Sequence, residues 1–92
     1  MLILDVRNPE AFQLGHPAGA LHAPSTDFAG AYARLGLQRL LGAADRTVVM
    51  CDSAECPSGD RVARILRDLG HRDVSVLQGG WQAYERSGLG RS

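Results

Sequence analysis

Thr47-Val48-Val49-Met50-Cys51-Asp52-Ser53-Ala54-Glu55-Cys56-Pro57-Ser58-Gly59-Asp60-Arg61 holds the strand-to-helix passage around which the rest of the chain arranges itself. Thr47 to Met50 is apolar and rich in β-branched residues, the strongest strand signal in the sequence. Asp52 to Gly59 reads as a loop by composition. Asp60 to Leu69 reads as a helix, with Val62, Ile65, Leu66 and Leu69 on one face and Arg61, Arg64 and Arg67 largely off it; Gly70 stops it. A cysteine therefore stands where a strand hands over to a helix, the place where parallel sheets gather their reactive groups.

Working outward, Leu2 to Val6 is a short apolar run stopped by Arg7-Asn8-Pro9 and reads as a buried strand. Pro9 opens a brief helix that Gly15 ends, and Pro17-Ala18-Gly19 turns the chain into a very short strand at Ala20 to Ala23. Ser25 or Asp27 caps a helix carrying Phe28, Tyr32, Leu35 and Leu40, weakened by Gly30 and Gly36 and ended by Gly42. Val74 to Leu77 is a further strand, Gln78-Gly79-Gly80 a turn, and Trp81 to Ser87 a last helix before Gly88. Strands alternating with helices over short loops imply an α/β layer fold with a mainly parallel sheet.

The 92 residues have a formal net charge of zero, 45% hydrophobic and 22% charged, which suits one globular domain spanning 1–92. Balanced charge argues against nucleic acid or an anionic membrane surface as a partner. All ten basic residues are Arg, so no Lys is present to act as Schiff-base former or general base. No apolar run approaches the roughly 18 residues of a membrane span, and no leader pattern opens the chain; the expected location is cytoplasmic.

Cys51 has two readings. Inward-turned loop N–H groups and the positive end of the following helix would favour its thiolate, making it nucleophilic, and would hold the oxygens of an anionic substrate. Alternatively it is a small, buried, inert strand residue. His16, His22 and His71 are scattered without ligand spacing, so no metal is expected. His16 and His22 suit turn and strand-end hydrogen bonds, and His71 suits solvent. Trp81 and Tyr84 suit core packing, and Arg61 is the one helix arginine near enough to the loop to attract an anion.

The order of several segments resembles the rhodanese-like domain family. Leu4-Asp5-Val6-Arg7-Asn8-Pro9-Glu10-Ala11-Phe12 looks like its opening signature, and Gly15-His16-Pro17-Ala18-Gly19-Ala20 is similar to its Gly-His-Ile-Pro-Gly-Ala segment. Val48-Val49-Met50-Cys51 matches the strand that delivers the family's active cysteine. Ala63, Leu66, Gly70, Val74 and Leu77-Gln78-Gly79-Gly80-Trp81-Gln82-Ala83-Tyr84 resemble its closing helix, strand and turn. The resemblance implies a three-layer α/β fold, a mainly parallel central sheet flanked by helices. The strand and helix that precede the Asp-Val-Arg signature in the family do not appear in the chain, leaving a sheet edge that a dimer or a parent multidomain protein could cover.

The resemblance also implies sulfurtransferase chemistry without metal or organic cofactor. Cys51 would take sulfane sulfur from a small donor (thiosulfate or a persulfide) and pass it to a thiol acceptor or to cyanide. Asp52, Ser53, Ala54, Glu55, Pro57, Ser58 and Gly59, with Arg61 beyond them, would form the substrate-binding loop, and Asp5, Arg7 and His16 a structural signature. The family's usual Gly and Arg, three and five positions after the cysteine, are here Ala54 and Cys56, and the loop is about two residues longer than the common form. Cys56 itself begins a Cys-x-x-Gly-x-Arg pattern, but taking it as nucleophile would leave the strand without its cysteine, so Cys51 is preferred. Cys56 is then a resolving thiol, a second carrier, or a bystander. Asp52, Glu55 and Asp60 face only Arg61 in this reading, which disfavours a dianionic donor. Two other functions stay open: a catalytically weak binding or regulatory module of a larger protein, and a two-cysteine redox domain. The Cys-x5-Arg signature of tyrosine phosphatases fails, because Pro57 stands where its Arg would be.

Overall fold

The computed structural model describes residues 1–52 and 56–88; Ser53, Ala54 and Glu55, assigned above to the substrate-binding loop, lie outside the described residues. The elements are β1 (Leu2–Asp5), α1 (Pro9–Leu14), β2 (Leu21–His22), a single 3-10 turn at Ser25–Asp27, α2 (Phe28–Leu35), α3 (Leu37–Ala43), β3 (Thr47–Met50), α4 (Pro57–Asp68), β4 (Val74–Val76) and α5 (Gly80–Arg86). The four strands form one wholly parallel sheet in the order β2-β1-β3-β4, flanked by helices. β1 and β3 lie at its centre, paired Leu4 to Val49 and Asp5 to Met50.

Alternation along the strands divides the sheet into two faces. Leu4, Val6, Val49, Cys51 and Val74 join Phe28 and Ala31 of α2, Leu37 and Leu41 of α3, and Val62, Ala63 and Leu66 of α4 in the main hydrophobic cluster. Asp5, Arg7 and Met50 have the opposite parity, and all three are buried. The central strands are therefore covered on both sides, as their largely apolar sequences require, with Asp5 and Thr47 the buried polar residues among them.

The expected long helix from Phe28 is two helices. Gly36 adopts φ 65° and caps α2 by donating its N–H to the carbonyls of Ala33 and Tyr32. That left-handed residue resets the helical phase. After it, Leu37 and Leu41 turn inward, and Leu40, expected on the inner face, is 37% exposed. α3 also runs one residue past Gly42, to Ala43. In α4, Leu69 was expected beside Val62 and Leu66, but it is the C-terminal cap and is 55% exposed.

Candidate functional site

Cys51 immediately follows β3, with its side chain on the cluster side of the sheet and only 3% of its surface exposed. Three backbone connections hold this strand end. The N–H of Val6 donates to the Met50 carbonyl, that of Trp81 to the Cys51 carbonyl at 2.7 Å, and that of Gln82 to the Asp52 carbonyl at 3.2 Å. The first turn of α5 thus fastens the cysteine and the residue after it, while Val6 fastens the residue before it. Gly79 and Gly80, both at positive φ, bend the chain from β4 into that position. A Cβ on Gly79 would also lie 2.6 Å from the Ala83 Cβ. Gly79→Ala should therefore cost about 2 kcal/mol, combining left-handed strain with the clash. Urea denaturation checks this, and a loss below about 0.5 kcal/mol would mean that the turn relaxes freely.

Cys51 and Cys56 are joined by a disulfide with their Cα atoms 6.2 Å apart. Pro57 is the first residue of α4 and Cys56 is its N-cap in an extended conformation. Proline suits that place because its fixed φ is helical and its missing N–H would have had no helical partner. The helix begins three residues before the expected Asp60, so Pro57, Ser58 and Gly59 belong to its first turn and not to a loop. Gly59 is buried, and a Cβ there would stand 3.5 Å from the Cys51 Cβ, so this turn packs directly on the strand end. Both sulfurs consequently sit beside the positive end of a twelve-residue helix.

Asp5 and Arg7 form a buried ion pair. Arg7 Nε donates to both Asp5 carboxylate oxygens, and Nη2 donates to Asp5 Oδ2 at 2.7 Å and to the Gly15 carbonyl at 2.7 Å. The guanidinium lies over the Trp81 ring, 4.7 Å from its centroid. Its Nη1 reaches towards the cysteine loop, 4.0 Å from Asp52 Oδ1. This corrects the expectation that Arg61 alone faces the acidic loop: Arg61 Nη2 donates to the Ser25 carbonyl, and Arg7 is the cation beside Asp52. The pairing of Asp5 with Met50 explains the placement, since Arg7 and Asp52 each stand two residues farther along adjacent parallel strands.

The histidines close the same end of β1. His16 stacks on Phe12, with ring centroids 3.7 Å apart, and its Nδ1 donates to the Phe12 carbonyl. His22 stacks on the same ring at 4.6 Å, and its Nε2 donates to the Arg7 carbonyl at 2.8 Å. His71, expected in solvent, is half-buried and shares a 2.9 Å hydrogen bond with the Tyr32 hydroxyl at the opposite end of the sheet. Glu55 lies outside the described residues, and Asp60 is exposed on α4.

Solved structures share this architecture. A rhodanese-like domain of the Alr3790 protein from Anabaena superposes with a TM-score of 0.77 at 24% identity, covering 100% of this chain and 98% of that one. The BH2092 protein of Bacillus halodurans gives a TM-score of 0.79 at 22% identity, over 99% of this chain and 62% of that one. In sequence, the chain is 34% identical over 88 residues to the HTH-type transcriptional regulator Rv0324 of Mycobacterium tuberculosis. That match covers 95% of this chain and 35% of the regulator, so the chain spans about a third of that relative's length. Among the described residues no helix is long and apolar enough to cross a membrane. The rhodanese-like domain model matches residues 1–87, and with the parallel sheet, the cysteine at its central strand end and the buried Asp5–Arg7 pair, the chain belongs to the rhodanese-like domain family.

Proposed function

We propose that this chain is a sulfur-carrying domain in which Cys51 accepts sulfane sulfur and passes it to a thiol or to cyanide. The observation that carries this reading is the position of Cys51: at the carboxyl end of a central strand, braced by the α5 amides and beside the α4 N-terminus. Such surroundings favour a thiolate once the disulfide is opened. The thiolate attacks the outer sulfur of thiosulfate, the S–S bond of the donor breaks, and sulfite leaves with the electron pair. The resulting persulfide then gives its outer sulfur to an acceptor thiolate, regenerating the Cys51 thiolate. Because the Cys51–Cys56 disulfide occupies the nucleophile, the chain must be reduced before its first turnover.

The test is intact mass of the reduced Cys56→Ser chain, which leaves Cys51 as the single thiol, after incubation with thiosulfate or a small persulfide; the expected result is one added sulfur atom that an acceptor thiol or cyanide removes. Charge decides between donors. Arg7 Nη1 partly offsets Asp52, but Glu55 and Asp60 leave the segment acidic, which favours a persulfide of low charge over dianionic thiosulfate. Glu55→Gln should accordingly raise the thiosulfate rate about twofold, with a smaller gain at high salt, where charge is screened. An unchanged rate would remove Glu55 from the donor's approach.

One observation favours a second reading. A relative at 34% identity is a transcriptional regulator of which this chain spans 35%, which supports a regulatory module within a larger protein. A reduced Cys56→Ser chain that takes up no sulfur from any donor class would favour that reading over the enzyme.

A further inference from the structure

We propose that Cys56 resolves the Cys51 persulfide, so that the chain converts one sulfane sulfur into one hydrosulfide and closes its own disulfide. This inference rests on the sulfur-carrying role of Cys51 and adds a second step to it. The product of that step is the bond present in the structure, Cys51 Sγ to Cys56 Sγ. Its backbone anchors are 6.2 Å apart, inside the 4.4–6.8 Å range that a disulfide spans, so the step joins residues already in place. Cys56 is the N-cap of α4, where the positive end of a twelve-residue helix favours a thiolate, the form that attacks sulfur. Cys51 is held by the Trp81 amide and Cys56 by the start of α4, so both partners project from ordered elements.

The reaction balances without an added oxidant. In the first step the Cys51 thiolate takes the outer sulfur of thiosulfate and releases sulfite. In the second, Cys56 sulfur attacks Cys51 Sγ, the inner atom of the persulfide. The Cys56 thiolate forms the new bond, the persulfide S–S bond breaks, and the outer sulfur departs with the electron pair as hydrosulfide, carrying the proton that Cys56 gave up on ionising. The donor's sulfane sulfur is reduced to sulfide while the two cysteines are oxidised to cystine. Cys51 is then 3% exposed and bonded, closed to further donor until a thiol reductant reopens the pair. The domain thereby records an encounter with sulfane sulfur as a disulfide, and an external acceptor competes with Cys56 for the persulfide.

The test uses the whole chain, reduced, freed of reductant and held without oxygen, with thiosulfate and, in parallel, a small organic persulfide as donors. Sulfite from thiosulfate, hydrosulfide, free thiols and intact mass are followed in the wild-type chain, in Cys56→Ser and Cys56→Ala, and in Cys51→Ser. The inference expects close to one hydrosulfide per wild-type chain, loss of both thiols, and a mass lower by two hydrogens than the reduced chain. Both Cys56 variants should stop at the persulfide, keeping one added sulfur and releasing at least about tenfold less hydrosulfide. A wild-type chain that keeps its added sulfur and a free Cys56 thiol overturns the resolving step and leaves the carrier role standing. No sulfur uptake by the wild-type chain or by either Cys56 variant overturns the carrier role, and the resolving step with it. Uptake by Cys51→Ser but by neither Cys56 variant reverses the two roles and overturns the assignment.

Discussion

Cys51→Ser should lower sulfite release from thiosulfate by at least about three orders of magnitude, because a hydroxyl at that place is a far weaker nucleophile towards sulfur than a thiolate. The loss should lie in the chemical step. Serine is close in size to cysteine, and the residue's backbone contacts, the carbonyl accepting from the Trp81 amide, do not depend on the side chain. The fold should therefore persist, with an unfolding transition in urea near that of the reduced wild-type chain. The fast-alkylating thiol should disappear as well, leaving only Cys56 to react. Steady-state sulfite release and timed iodoacetamide labelling measure the two effects separately. A variant that retains the wild-type rate would exclude Cys51 as the sulfur acceptor.

Asp5→Ala should destabilise the domain by about 3–5 kcal/mol, the usual cost of leaving a buried charge without its partner. Asp5 is fully buried and Arg7 is 4% exposed. The carboxylate accepts from the Arg7 backbone N–H, from Nε and from Nη2, so its removal leaves the guanidinium with the Gly15 carbonyl, the Trp81 face and a distant Asp52. A loss of that size is comparable to the whole stability of a small domain, so the alanine variant should be largely unfolded at 37 °C. Asp5→Asn keeps an acceptor oxygen for the same donors and should lose less. Replacing both partners together, Asp5→Leu with Arg7→Met, should recover part of the deficit because no charge then stays buried. Urea unfolding of the four chains tests the order. If Asp5→Ala loses less than about 1 kcal/mol, water reaches Arg7 and the pair is not the internal tie described above.

The consequences of that tie reach the site. Arg7 links β1 to the segment after α1 through Gly15, lies against Trp81 of α5, and faces Asp52 beside the cysteine. A partly unfolded Asp5 variant should therefore lose sulfur uptake in proportion to its folded fraction. Among chains that remain folded, a drop in uptake larger than the unfolded fraction would show that Arg7 also orders the loop.

The alternation of short apolar runs with helices, and hence the parallel α/β sheet, is legible in the order of residues along the chain. So are the placing of Cys51 at the end of Thr47–Met50 and the order of segments that marks the family. Those features are local: β-branched runs, turn residues and a proline or glycine at each boundary act within a few residues of one another. Gly36 shows the limit of local reading. It was visible as a weakness in a long helix, but whether the helix would bend or break depended on which leucines the sheet could bury, and the break brought Leu37 and Leu41 inward in place of Leu40. The approach of Arg7 to Asp52 needed the folded chain, because it follows from the pairing of β1 with β3 across 45 positions of sequence. The closing of Cys51 on Cys56 was likewise settled by three dimensions. Five positions of spacing permit a bridge or forbid it, and the early start of α4 at Pro57, packed through Gly59 against the Cys51 Cβ, set the two Cα atoms within bonding reach.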